Sequence, residues 1–192
     1  MPTIIDYADV LQQATTLGLQ SAYYNTGAFT FPRGAAVEVF GWMGPDDASI
    51  RPEFAKLAVK VPPPHPANLA AAFSRAWPAV VNDPAWLMPK SHWAFELDHG
   101  NGPWLAPALE LIGVNPEDLR PRTDGAAIAF SPGEPGLAAL LTTLLSNLKT
   151  SDFAILFPNL PHLVTVHHHQ QLWWQTTDLL LPDLLRALPM TS

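Results

Sequence analysis

The run LVTVHHHQQLWWQ, residues 163 to 175, sets three adjacent histidines between a β-branched segment and a pair of tryptophans. In a β-strand alternate residues share a face, so His167 and His169 are expected to project together, roughly 7 Å apart, with His168 on the opposite face. Two imidazoles on one strand face can ligate a zinc or another divalent metal ion. A catalytic zinc needs a third protein ligand and an open position. His162 has the wrong parity and lies about 16 Å or more away by strand rise. The third ligand is therefore sought in FELDHGNG, where Glu96, Asp98 and His99 fall where a strand is expected to end and turn into a helix. Ligands gather at such ends in α/β folds. With Glu96 or Asp98 as general base on metal-bound water, the set would support a hydrolase or lyase. The alternative keeps His167 and His169 as solvent-facing strand residues and His168 hydrogen-bonded toward the sheet. The pair has no third ligand at a motif spacing comparable to a helical H-E-x-x-H.

A second chemistry needs no metal. Residues 153 to 177 contain no Asp, Glu, Lys or Arg, so the histidines His162, His167, His168 and His169 are their only side chains that titrate near neutrality. An unperturbed imidazole titrates near pH 6.5. Mutual repulsion among three neighbours lowers their affinity for protons, and no carboxylate lies within the stretch to offset it. An interface formed there would weaken in acid.

The remaining candidates are tryptophans, glycine-containing turns and a serine beside a histidine. Trp173 and Trp174 point to opposite faces if 171 to 177 is a strand, which makes one a core residue and leaves the other exposed or at an interface. Trp42, Trp93 and Trp104 are able either to wall an apolar pocket beside Glu96 or to fill the core. HGNG and SPGEPG are glycine-containing turns that match neither the phosphate-binding loop nor the G-x-G-x-x-G pattern. Ser91 adjoins His92, but no G-x-S-x-G elbow is present.

Composition limits the partners. Ten Lys and Arg against seventeen Asp and Glu give a net charge of -7, which argues against nucleic acid and anionic membranes. The absence of cysteine excludes disulfides and thiolate metal sites and fits a cytoplasmic protein. No basic leader and no long apolar run are visible. The charged fraction is 14%, against roughly 25% in average globular chains. Part of the surface is thus expected to meet another chain, unless a compositional bias that also supplied 21 prolines accounts for the deficit.

These residues have to be positioned by elements that the pattern also suggests. Residues 3 to 18 read as a helix presenting Tyr7, Val10, Leu11, Ala14 and Leu17, ended at Gly18 by a left-handed turn. GAAVEVFGW, 34 to 42, reads as a half-buried strand with Val37 and Val39 on one face and Glu38 on the other, followed by an exposed loop MGPDDASIRPEF. Three strand–turn–helix units follow, beginning at Leu57, Trp93 and Ala127. The third has a leucine stripe from Leu137 to Leu148, preceded by SPGE as a capping box. DFAILFP is apolar throughout and belongs at the sheet centre. A hairpin or long bent strand carries the histidines, and a helix with Leu181, Leu184, Leu185 and Leu188 closes the chain. Lys60, Glu96 and Glu38 read as mid-strand charges, so one sheet face is expected to be wet. The predicted fold is one α+β (or α/β) domain over residues 1–192, with a two-layer mixed sheet of about five to seven strands and helices mainly on one face.

The function expected first is binding without catalysis, by self-association or by docking a protein partner through 153–177, with His167, His168, His169, Trp173 and Trp174 at the interface. A metal-dependent enzyme using His167 and His169 with a ligand from 96–99 is the alternative, and a carrier or sensor of a small apolar ligand in a tryptophan-lined pocket is the third.

Overall fold

The computed structural model describes residues 1–43, 57–60 and 65–188. The chain is an α+β protein. Its strands are β1 (Thr3–Ile5), β2 (Gln20–Ser21), β3 (Phe29–Thr30), β4 (Glu38–Met43), β5 (Ala58–Lys60), β6 (Ala85–Pro89), β7 (Ala127–Phe130), β8 (Phe153–Leu156), β9 (His162–His167) and β10 (Gln171–Thr176). Among the described residues the helices are α1 (Tyr7–Thr16), α2 (Pro66–Ala76), α3 (Trp93–Phe95), α4 (Gly102–Leu111), α5 (Pro116–Leu119), α6 (Pro135–Asn147) and α7 (Leu181–Ala187). Eight strands form one open mixed sheet in the order β1-β7-β6-β8-β9-β10-β4-β5, and β2 with β3 forms a separate hairpin. Every neighbouring pair in the large sheet is antiparallel except β4 with β5.

Among the described residues the sheet has eight strands rather than five to seven, because β1 and β6 are short runs that other signals mask. Thr3–Ile5 is β-branched at all three positions, a strand signature that the helical stripe of Tyr7 to Leu17 obscures. The helix begins only at Tyr7, and Gly18 at its end is left-handed with φ 78°, as its position predicts. Ala85–Pro89 is a five-residue apolar run between turn residues.

The second unit is corrected. WAFELDHG is not a strand but a short helix, Trp93–Phe95, running into a π-helical turn over Glu96–Gly100. Its strand is β6, upstream. The His92 ring caps α3 by accepting the Phe95 N–H at 3.1 Å. Glu96, Asp98 and His99 consequently lie in a helical turn and not at the end of a strand. The first and third units do place a strand before a helix, β5 before α2 and β7 before α6. The capping box is displaced: α6 starts with Pro135 at its first position, and Glu134 reaches back to accept the Ser131 N–H at 3.0 Å. The exposed loop expected over 43–54 falls, past Met43, outside the described residues.

The two faces of the sheet are both used. Phe40, Trp42, Leu87, Ile128, Phe153, Ile155, Val164, Val166, Leu172 and Trp174 face the larger core, to which α2 through α7 all contribute. On the other face, α1 brings Tyr7, Val10 and Ala14 against Met88, Ala127, Ala154, Leu156 and Leu163, with Phe29 and Phe31 beside them. This double coverage explains DFAILFP: all four residues of β8 are buried, as in any strand sandwiched on both sides. The wet face expected from mid-strand charges does not arise from those residues. Glu96 is outside the sheet, while Glu38 and Lys60 are exposed residues at strand ends. Glu38 in fact has the parity of the buried Phe40 and Trp42, and stays in solvent because it opens the strand.

Candidate functional site

The segment 162–176 is a hairpin: β9 and β10 pair from His162↔Thr176 to His167↔Gln171. A three-residue connection, His168 to Gln170, joins them, with Gln170 left-handed at φ 58°. Such loops end in a residue of this conformation because it returns the chain with the twist of the strands. The histidines therefore lie at the strand end and in the turn. Strand alternation does not split them into a pair and a single residue, because alternation stops at His167. The turn gathers all three: ring centroids are 4.3 Å apart for His167–His168 and His168–His169, and 5.0 Å for His167–His169. Each offers one nitrogen, and these three atoms lie within 4.8 Å of one another.

Each ring is held differently. His167 Nδ1 accepts the His169 backbone N–H at 3.1 Å, which places the proton of the neutral ring on Nε2. His168 has a carboxylate partner. Asp152 Oδ1 accepts both the His168 backbone N–H at 3.0 Å and Nδ1–H at 2.8 Å. The pairing follows from topology: β8 runs antiparallel to β9 with Phe153 opposite Val166, so Asp152 arrives beside the end of β9. The histidines thus do have a carboxylate, one residue before the charge-free stretch begins. With Nδ1–H committed to Asp152, the lone pair of His168 is on Nε2, the arrangement common to metal-ligating histidines. His169 is exposed.

Burial pushes the His167 imidazole below the ordinary histidine range; Asp152 opposes that shift, and His168, His169 and Lys90 add to it. The repulsion anticipated among neighbours is present but second to desolvation. Lys90, at the end of β6, is lowered from its usual value by burial, against the pull of Asp152. Its Nζ donates to Thr165 Oγ1 at 3.3 Å. Neither Asp152 nor Lys90 is conspicuous in the sequence, since only strand pairing brings them to the histidines.

The residues of 96–99 take other roles. The Glu96 carboxylate has no solvent exposure and accepts from Ser91 Oγ, Asn101 Nδ2 and, at 2.9 Å, Ser151 Oγ. Asp98 is paired with Arg120, and His99 is exposed. None of the three belongs to the converging group, which among the described residues is His167, His168 and His169. Glu96 is connected to it indirectly, through Ser151, the residue before Asp152.

Trp173 and Trp174 lie on opposite faces as predicted. Trp174 is 1% exposed and stacks on Phe157 with centroids 5.8 Å apart. Trp173 is half-buried and lies over Gly41, where an added Cβ would come within 2.4 Å of its ring. Trp42 and Trp93 are fully buried core residues, and Trp104 packs against the same core, so these three do not wall an open pocket.

Comparison with family models, curated proteins and solved structures finds no match to this chain.

Proposed function

We propose that the hairpin turn binds a divalent metal ion through His167, His168 and His169. The observation that carries this reading is the convergence of three imidazole nitrogens within 4.8 Å, with the Asp152 carboxylate behind His168. Tetrahedral ligands 2.0–2.1 Å from a zinc ion are roughly 3.3 Å apart, so the rings have to close by about 1 to 1.5 Å. Closure costs His167 its bond from the His169 N–H, about 0.5–1.5 kcal/mol. A three-imidazole set leaves at least one coordination position open, the pattern of a site that binds or activates a further ligand. Catalysis with Glu96 or Asp98 as base gains no support, because the first is enclosed by its own hydrogen bonds and the second faces Arg120.

The test is equilibrium dialysis of the untagged full-length chain against Zn²⁺ or Co²⁺ with elemental analysis. One ion per chain is expected, lost when all three histidines are replaced by alanine. Absence of saturable binding, or binding indifferent to those replacements, overturns the reading.

A second reading is self-association near the C-terminal region. Burial of β8, β9 and β10 accounts for much of the missing charge without an interface. Support comes instead from Leu179, Leu180 and Leu184, which are 65%, 69% and 51% exposed and adjoin rather than belong to 153–177. Light scattering on the wild type and on Leu180→Lys tests it: a dimer that the substitution dissociates is expected, and a strict monomer excludes it.

A further inference from the structure

Resting on the metal reading above, we infer that the same site takes a small oxyanion, a carboxylate or phosphate group, held between the metal ion and the Lys90 ammonium.

Lys90 is the first observation. Its Nζ makes one hydrogen bond, to Thr165, and no ion pair among the described residues, although the side chain is largely withdrawn from water. An ammonium has three donors, and a desolvated one normally sits on a carboxylate. Among the described residues, Asp152 is the carboxylate whose charge reaches both Lys90 and His167, and its Oδ1 already accepts from His168.

Position is the second. Thr165 and His167 are alternate residues of β9, on one face of the sheet and roughly 7 Å apart. The ammonium on Thr165 is therefore one side-chain spacing from the first metal ligand. That distance is spanned by an oxyanion with one oxygen on the metal and another on the lysine. Trp173, opposite Thr165 across β10, lies on the same face and flanks this space.

Charge is the third. Three neutral imidazoles do nothing to offset a divalent ion, and Lys90 adds a further positive charge. Against these, among the described residues, stands the Asp152 carboxylate. A site of that composition attracts an anion, and a lysine recognises it as a point charge, suited to phosphate and carboxylate alike.

The experiment uses the full-length chain loaded with Co²⁺, whose visible absorption reports its ligands, titrated separately with inorganic phosphate and with acetate. Tryptophan emission provides a second signal from Trp173. Saturable spectral change is expected with at least one anion, and the one that binds identifies the class. Lys90→Gln should raise the midpoint roughly tenfold or more, while Lys90→Arg, which keeps the charge, should stay close to wild type. Midpoints unchanged in Lys90→Gln, or raised equally in both variants, overturn the inference and leave the metal reading intact. Failure of Co²⁺ to load overturns both. Lys90-dependent phosphate binding by the metal-free chain overturns the bridged form.

Discussion

Asp152 is the residue on which the geometry of the histidines depends most. One oxygen receives two donors from His168, a backbone N–H and a ring N–H, and so fixes both the turn and the tautomer. On the metal reading proposed above, Asp152→Asn should lower Zn²⁺ affinity by roughly 10- to 100-fold in a competition assay, the usual cost of removing the partner of a ligating histidine. An unchanged affinity would mean that the carboxylate does not orient the ring. Gly41 answers a packing demand at the same scale. Trp173 lies where a side chain on residue 41 would be, so Gly41→Ala should displace the ring. The expected cost is about 1–3 kcal/mol in urea denaturation, with a changed tryptophan emission. The sequence announced the histidines and tryptophans but neither of these two partners, because an aspartate before a strand and a glycine within one acquire meaning only from what lies across the sheet.

The hairpin β9–β10 is the element that converts three sequence neighbours into a cluster. Its connection holds Gln170 in the left-handed region, where a side chain with a Cβ is disfavoured. Gln170→Gly should therefore stabilise the fold by about 0.5–1 kcal/mol, read as a raised melting temperature, while leaving the three rings able to converge. A lowered melting temperature would show that the Gln170 side chain contributes more than its backbone costs. Helix α6 is the contrasting case. Its stripe of Leu137, Leu140, Leu141, Leu144 and Leu145 is buried throughout, as helical spacing predicts, because periodicity over thirteen residues leaves little choice of face. Leu144→Ala should cost about 2–5 kcal/mol. WAFELDHG carried no comparable signal. At that length an apolar run satisfies either period, and the cap from His92 and the buried network around Glu96 are decided by tertiary neighbours.

At the scale of the whole molecule, two histidines couple stability to pH. His162 is 3% exposed, and its Nδ1 lies 2.8 Å from Thr176 Oγ1, whose oxygen also accepts the Asp178 N–H. Burial holds His162 below the ordinary histidine range, against weaker opposing effects from Pro161, Asp178 and Asp83, and burial lowers His167 in the same sense. In the unfolded chain both titrate near pH 6.5. As pH falls below that value the unfolded state takes up protons first, so the contribution to stability is complete above about pH 6.5 and is lost as pH drops through the folded values. Urea midpoints should accordingly be lower at pH 5 than at pH 8, and the difference should shrink in His162→Asn. A midpoint insensitive to pH in the wild type would contradict this coupling. No described helix is long and apolar enough to cross a membrane.

What the sequence determined by itself was whatever local periodicity and chemistry specify: the leucine helices, the central apolar strand, the left-handed end of α1, the opposed tryptophans and the histidine triplet as the place to look. Each is encoded by residues a few positions apart. Tertiary structure alone decided that α1 covers the second face of the sheet, that Glu96 is enclosed rather than available, and that Asp152 and Lys90 stand beside the histidines. Those facts depend on which strands pair and where a strand ends. The charge-free stretch, which in sequence suggested a surface for a partner, runs largely through β8, β9 and β10, three adjacent interior strands of the sheet. Burial on two faces removes charge for the same physical reason that an interface does.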